Sequence, residues 1–148
     1  MTQRGPAGAG APGGGDRALG SHVPWMRRTA KHAGPGVWKQ GGGSTVHLAP
    51  GAGLQGGHPY PLYPTPKAAV IGLTRAMAAH HGPDGIRVNA IAPGMVYTPM
   101  VYSRGMTEEM REQRRRRSLL QVEGTGWDVG HAVVYLASDD ARWVTGVV

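Results

Sequence analysis

Residues 44 to 92 read as strand, helix and strand, and this order constrains the fold more than any other feature of the 148-residue chain. Ser44-Thr45-Val46-His47-Leu48-Ala49 is a short β-prone run between Gly41-Gly42-Gly43 and Pro50-Gly51. The spacing predicts a helix over 66–81, with Val70, Leu73, Met77 and the neighbouring Ile71 and Ala78 forming one apolar stripe. Thr65 is a natural N-cap and Pro66 a natural first helical residue, where no N–H is needed. Gly82-Pro83-Asp84-Gly85 stops the helix, and residues 86–92 supply the second strand. A strand–helix–strand unit implies parallel strands and a right-handed crossover. The chain is therefore expected to be α/β with an open parallel sheet.

Downstream, a second loop, Ala92-Pro93-Gly94-Met95-Val96-Tyr97-Thr98, follows the second strand. Thr107-Glu108-Glu109 then opens a charged helix ending in Arg114 to Arg117, with each charge sign at the end the helix dipole favours. Thr125 and Asp128 match a capping box, and Val129, Val133, Leu136 and Ala137 give the next helix its buried face. Trp143 to Val148 reads as a third strand. Residues 1–40 form a Gly/Pro-rich, basic and largely disordered tail, since a run such as Gly8 to Gly15 cannot offset its ordering entropy. Val23, Trp25 and Met26 fit a short amphipathic helix there, but Pro24, Gly34 and Pro35 break any long one. Residues 41–148 make up the folded part.

Composition removes several classes of function. With no cysteine, disulfides, thiolate catalysis and cysteine-held zinc are excluded. His80 and His81 point to different faces, and no i,i+4 pair with a carboxylate suggests a metal site, so none is expected. No apolar run approaches the ~20 residues that span a bilayer, and the N-terminus lacks a signal-peptide core. A soluble, cytoplasmic protein without a membrane partner is expected. The net charge of +7 resides mainly in the tail, where six cations face Asp16 alone. Arg114 to Arg117 could contact phosphates, but four consecutive arginines spread around a helix beside Glu108, Glu109 and Glu112. A solvated, dipole-matched helix end is the better reading, and nucleic acid is not an expected partner.

Two glycine patterns, at Gly8, Gly10 and Gly13 and at Gly51, Gly53 and Gly56, fit G-x-G-x-x-G without its strand-to-helix context. Both read as loop glycines. Tyr63 and Lys67 are more informative: an ammonium four residues from a phenol favours the phenolate and lowers its pKa from about 10. A partly buried tyrosine and a solvated lysine sharing one face is the competing reading. Ligands of open parallel sheets bind beyond the carboxyl ends of the strands, which selects the loops 50–63 and 93–100.

Tyr63-x-x-x-Lys67-Ala68-Ala69-Val70-Ile71-Gly72-Leu73-Thr74-Arg75, followed by Gly85-Ile86-Arg87-Val88-Asn89-Ala90-Ile91-Ala92-Pro93-Gly94, closely resembles the short-chain dehydrogenase/reductase family. Trp127 to Asp139 and Trp143-Val144-Thr145-Gly146 resemble its last helix and strand. The resemblance covers about residues 41–148 and corresponds to the C-terminal part of a doubly wound, Rossmann-like domain. It implies NAD- or NADP-dependent oxidation of an alcohol or reduction of a carbonyl on a small molecule. It makes Tyr63 the proton donor or acceptor and Lys67 the group that lowers its pKa and binds the nicotinamide ribose. Pro93, Gly94, Val96 and Thr98 would hold the nicotinamide, and 99–120 would be the substrate-selecting lid.

The sequence also departs from the family. Pro50 stands thirteen positions before Tyr63, where the family has a hydrogen-bonding serine, and Ala49 precedes it. The catalytic asparagine has no candidate, because Asn89 belongs to the second strand's motif. The nucleotide-binding glycine turn and first βαβ units have no counterpart. Pro64 disfavours helical backbone at Tyr63, and Pro66 does so at Thr65. An apparently truncated oxidoreductase is expected, prone to self-association through an open strand edge. The alternative is a non-catalytic interaction module or gene remnant.

Overall fold

The computed structural model describes residues 24, 28, 32, 36, 37, 39–49, 54, 64–103 and 105–148. Its elements are β1 (Gly43–Leu48), α1 (Thr65–His81), β2 (Ile86–Ile91), α2 (Pro99–Tyr102), α3 (Glu108–Arg116) and α4 (Gly126–Ala137). Single 3₁₀ turns follow α1 at Gly82–Asp84 and α4 at Asp139–Ala141. β1 and β2 pair in parallel, in register from Gly43 opposite Ile86 to Leu48 opposite Ile91. The expected strand–helix–strand unit is thus present.

Side chains alternate across a strand, so residues of opposite parity report on opposite faces of the sheet. On one face Ile86 and Val88 pack with Ala78 near the end of α1, joined by Met77 and Val37. Val70 and Ile71, in the second turn of α1, pack with Ala49 just past the end of β1. α1 therefore runs back along the strands, and its first turn lies at their carboxyl edge. On the other face, the Ser44 hydroxyl donates to the Leu136 carbonyl of α4 at 2.8 Å. Arg87 donates to the same carbonyl at 2.7 Å and to that of Ser138 at 2.9 Å. Both strands thus hold the C-terminal end of α4, with a guanidinium where the helix dipole favours a cation. Helices cover both faces, which is the doubly wound arrangement.

Position 74 departs from the predicted stripe. Thr74 is fully buried while Leu73 is only partly so. The Thr74 hydroxyl donates to the Val70 carbonyl at 2.8 Å and meets His47 Nδ1 at 2.8 Å. Its single proton is thereby committed, so His47 Nδ1 carries the proton of that contact.

The start of α1 is shifted by one residue from expectation. Pro64, not Thr65, is the N-cap, with helical backbone at φ −75° and ψ −23°, and Thr65 is already helical. The proline at 66 falls in the first turn, where a missing N–H costs nothing, and Thr65 is helical despite the ring that follows it. Gly85 closes the turn into β2 in the left-handed region, at φ 73°.

The third strand is not a regular one. Residues 144–147 run beside β2, with Gly146 N–H donating to Val88 at 2.8 Å and Ala90 N–H donating to Val147 at 2.9 Å. Gly146 and Val147 together fill the place a parallel ladder gives to one residue, and Gly146 sits at φ +75°. The pairing is bulged, and a left-handed glycine makes the bulge possible. Asn89 fills the gap: its amide donates to the Val144 carbonyl at 2.8 Å and accepts from Val147 N–H at 3.2 Å.

α4 begins as predicted, with Thr125 accepting from Asp128 N–H and the Asp128 carboxylate accepting from Thr125 N–H. Of its expected buried face Leu136 is buried, Val129 and Val133 are partly buried, and Ala137 is exposed.

A candidate catalytic edge

The carboxyl edge of the sheet gathers the first turn of α1, the bend 92–98 and the segment before α4. Lys67 belongs to that first turn and is only 8% exposed. Lysine is rarely buried to this degree, because its ammonium is costly to withdraw from water. The apolar contacts of Val70, Ile71 and Ala49, one turn further along α1, hold the helix start against the end of β1. Tyr63 and Pro50 lie outside the described residues.

The bend leaves the end of β2 and is tied to the chain ahead of α4 by an isolated parallel bridge between Val96 and Gly124. Gly124 N–H donates to the Met95 carbonyl at 3.0 Å, and Tyr97 N–H donates to the Gly124 carbonyl at 2.8 Å. Among the described residues no acceptor meets the Val96 N–H. Thr98 is extended, at φ −131° and ψ 160°, and its hydroxyl does not cap α2. The bend therefore presents a backbone donor and a hydroxyl at the edge that carries the Lys67 ammonium. All three groups can donate hydrogen bonds. Asn89, fully buried, is not among them, since both ends of its amide are engaged by the backbone of Val144 and Val147.

A network behind the bend was not foreseen. Arg114 Nη2 donates to the Val96 carbonyl at 3.1 Å, and its Nε donates to Glu123 Oε1 at 3.3 Å. Arg111 Nε donates to the other oxygen, Oε2, at 2.9 Å. The Arg111 guanidinium also lies 4.4 Å from the centroid of the Tyr97 ring, which packs against Tyr102 at 4.9 Å. The Glu123 side chain is 7% exposed, so the helix end expected to be wholly solvated is partly inserted. Arg115 and Arg116 do follow expectation: both bond Glu112, and their hydrogen bonds lower its pKa to about 2. Treating four arginines as one charge run concealed that Arg114 differs from its neighbours. The signal available was Glu123, the one acid between Arg117 and the capping box.

Among the described residues, no cluster of three metal-ligating side chains is present and no helix is long and apolar enough to cross a membrane.

An open, doubly wound α/β domain with a polar ligand edge at the ends of its strands is a broad class, and comparison with known proteins narrows it. The family model for Enoyl-(Acyl carrier protein) reductase matches residues 17–148. The chain is 38% identical over 112 residues to the 2-(R)-hydroxypropyl-CoM dehydrogenase of Xanthobacter autotrophicus, covering 76% of this chain and 45% of that protein. It is 37% identical over 107 residues to the 7alpha-hydroxysteroid dehydrogenase of Bacteroides fragilis, covering 72% and 41% respectively. A solved structure from Beutenbergia cavernae, described as an NAD(P)-dependent gluconate 5-dehydrogenase with bound NADP at low occupancy, superposes with a TM-score of 0.84 at 30% identity. That match covers 99% of this chain and 59% of the other. The chain belongs to the short-chain dehydrogenase/reductase family. It spans about half the length of the curated relatives it matches.

Proposed function

We propose that this chain carries the proton-transfer and nicotinamide-facing edge of an NAD- or NADP-dependent oxidoreductase acting on a small alcohol or carbonyl compound. The observation that carries the reading is the buried Lys67 in the first turn of α1, four residues after Tyr63 and on the same sheet edge as the bend 93–98. The nicotinamide, when bound, supplies the hydride acceptor or donor. Tyr63 gives a proton to the carbonyl oxygen during reduction, or takes one from the alcohol during oxidation. The Lys67 ammonium favours the phenolate by Coulomb attraction and offers hydrogen bonds to ribose hydroxyls. Pro93 and Gly94 shape the bend, the Val96 N–H donates to the carboxamide, and the Thr98 hydroxyl faces the same group.

With Pro50 where the family has serine, no side-chain donor at that position holds the reacting oxygen. Such a donor is often worth a few kcal/mol in the transition state, so turnover by this chain alone is expected to be weak or absent. Residues 41–148 act as the main folded unit, with Val37 ahead of them packed against Ile86 and Val88, in a cytoplasmic and self-associating protein.

Titration of the chain with NADH and NADPH, followed by nicotinamide fluorescence, tests the reading. Saturable binding that weakens at least tenfold in Lys67→Ala is expected. No binding by the wild-type chain, or equal binding by Lys67→Ala, would contradict it.

A further inference from the structure

The Arg111, Arg114 and Glu123 network has no part in the chemistry above, yet it touches the bend directly. Glu123 uses one oxygen for each arginine, so these two of the four guanidiniums of α3 are anchored to a single carboxylate on the strip 121–124. That strip is bonded to the bend through Gly124, on both sides of Val96. Arg114 closes the loop of contacts by donating to the Val96 carbonyl itself. Each peptide plane is rigid, so the Val96 N–H turns with the Met95 carbonyl, and the Val96 carbonyl turns with the Tyr97 N–H. Gly124 N–H holds the first plane at the Met95 carbonyl, Arg114 and the Gly124 carbonyl hold the second, and together they limit the directions in which the Val96 N–H can point.

We propose that Arg114 and Glu123 are positioning residues that lock the bend 94–98 to α3, so that the cofactor seat and this helix move as one body. The proposal rests on the reading of 93–98 as the nicotinamide seat. Glu123 holds Arg114 in place, Arg114 holds the Val96 carbonyl, and Arg111 covers the Tyr97 ring from the same helix. Any movement of α3 toward a substrate is then transmitted to the backbone that faces the cofactor. A buried carboxylate between two arginines suits such a latch, since losing either partner leaves an uncompensated charge.

Hydrogen exchange of the unliganded full chain tests the latch without reference to cofactor. In Glu123→Gln and Arg114→Met, the Tyr97 and Gly124 amides should exchange at least tenfold faster, with β2 and α4 unchanged. Arg114→Lys should be intermediate, keeping a charge for Glu123 but lacking the second nitrogen that reaches Val96. Arg116→Met, which breaks a pair with Glu112 on the same helix, should leave the bend at wild-type protection. Wild-type exchange in Glu123→Gln, or equal loosening in Arg116→Met, would overturn the proposal. In parallel, NADPH affinity is measured for wild type and Arg114→Met. If wild type binds, at least fivefold weaker binding by Arg114→Met is expected, and equal affinity would sink the positioning role. If wild type does not bind, the proposed function fails, and the exchange data alone decide whether the latch exists.

Discussion

Asn89 sits at the centre of the strand β2 and is fully buried, where its side-chain amide serves the backbone of the neighbouring segment. A bulge leaves backbone groups that no ladder partner can reach, and the Asn89 amide supplies one donor and one acceptor at that spot. Asn89→Ala should therefore destabilise the chain by roughly 1–3 kcal/mol, since two part-buried backbone groups lose their partners. Urea denaturation would measure it, and a loss under about 1 kcal/mol would show that water replaces the amide. Lys67 was legible in type and place, but its burial was not, because burial follows from how Val70 and Ile71 seat the helix on Ala49.

His47 gives a prediction in pH. Its burial lowers its pKa below the ordinary 6.5. The unfolded chain thus takes up this proton at higher pH than the folded one does. Stability is full above about 6.5 and falls as pH drops toward the lower folded value. Thermal midpoints should decline between pH 7.5 and 5.5 in the wild type, and less in His47→Gln. Glu109, Glu112 and Asp128 are also shifted down, so their stabilisation is lost only below their ordinary values of 4.5, 4.5 and 3.8. The two windows separate, and a decline confined to pH below 4.5 would remove His47 as the cause.

At the scale of elements, hydrophobic period and turn chemistry made β1, α1, β2 and α4 legible. Each has an apolar face or a capping signal contained within a few residues of its own sequence. What could not be read depended on partners distant in sequence. The bulge at Gly146 exists only against Val88 and Ala90, and the partial insertion of α3 exists only against Glu123 and Val96. The four-residue α2 is too short to show a period. Two glycines separate local from tertiary cause. Gly72 lies inside α1, where an added Cβ would meet nothing within 4 Å. Gly72→Ala should therefore stabilise the chain by about 0.5–1 kcal/mol through helix propensity alone. Gly85 is left-handed, and a Cβ there would lie 3.2 Å from the Gly41 carbonyl oxygen. Gly85→Ala should destabilise by about 1–2 kcal/mol. Opposite signs in thermal melts of the two variants are the expected result, and equal signs would mean that backbone conformation does not control this turn.

At the scale of the whole molecule, the apolar surface is larger than the described elements cover. Trp127 and Val134 lie two turns apart on one face of α4 and are 79% and 67% exposed, and Trp143 beyond its end is 96% exposed. Isolated exposed hydrophobic residues are ordinary, but an aligned pair containing tryptophan marks a surface suited to association. Covering one such indole removes some 150 Å² or more from water, on the order of 4 kcal/mol before ordering costs are subtracted. Among the described residues β1 pairs only with β2, and its other edge meets no strand among them, so it is a second surface suited to association. Sedimentation velocity at tens of micromolar should therefore show species heavier than the 15.6 kDa monomer. If the tryptophans drive association, Trp127→Lys combined with Trp143→Lys should shift the distribution to monomer with an unchanged far-ultraviolet spectrum. If the strand edge drives it, that variant will remain associated, while Val46→Pro on β1 will disperse or unfold it. A wild-type chain that sediments as a monomer throughout this range would show that neither surface is available in solution.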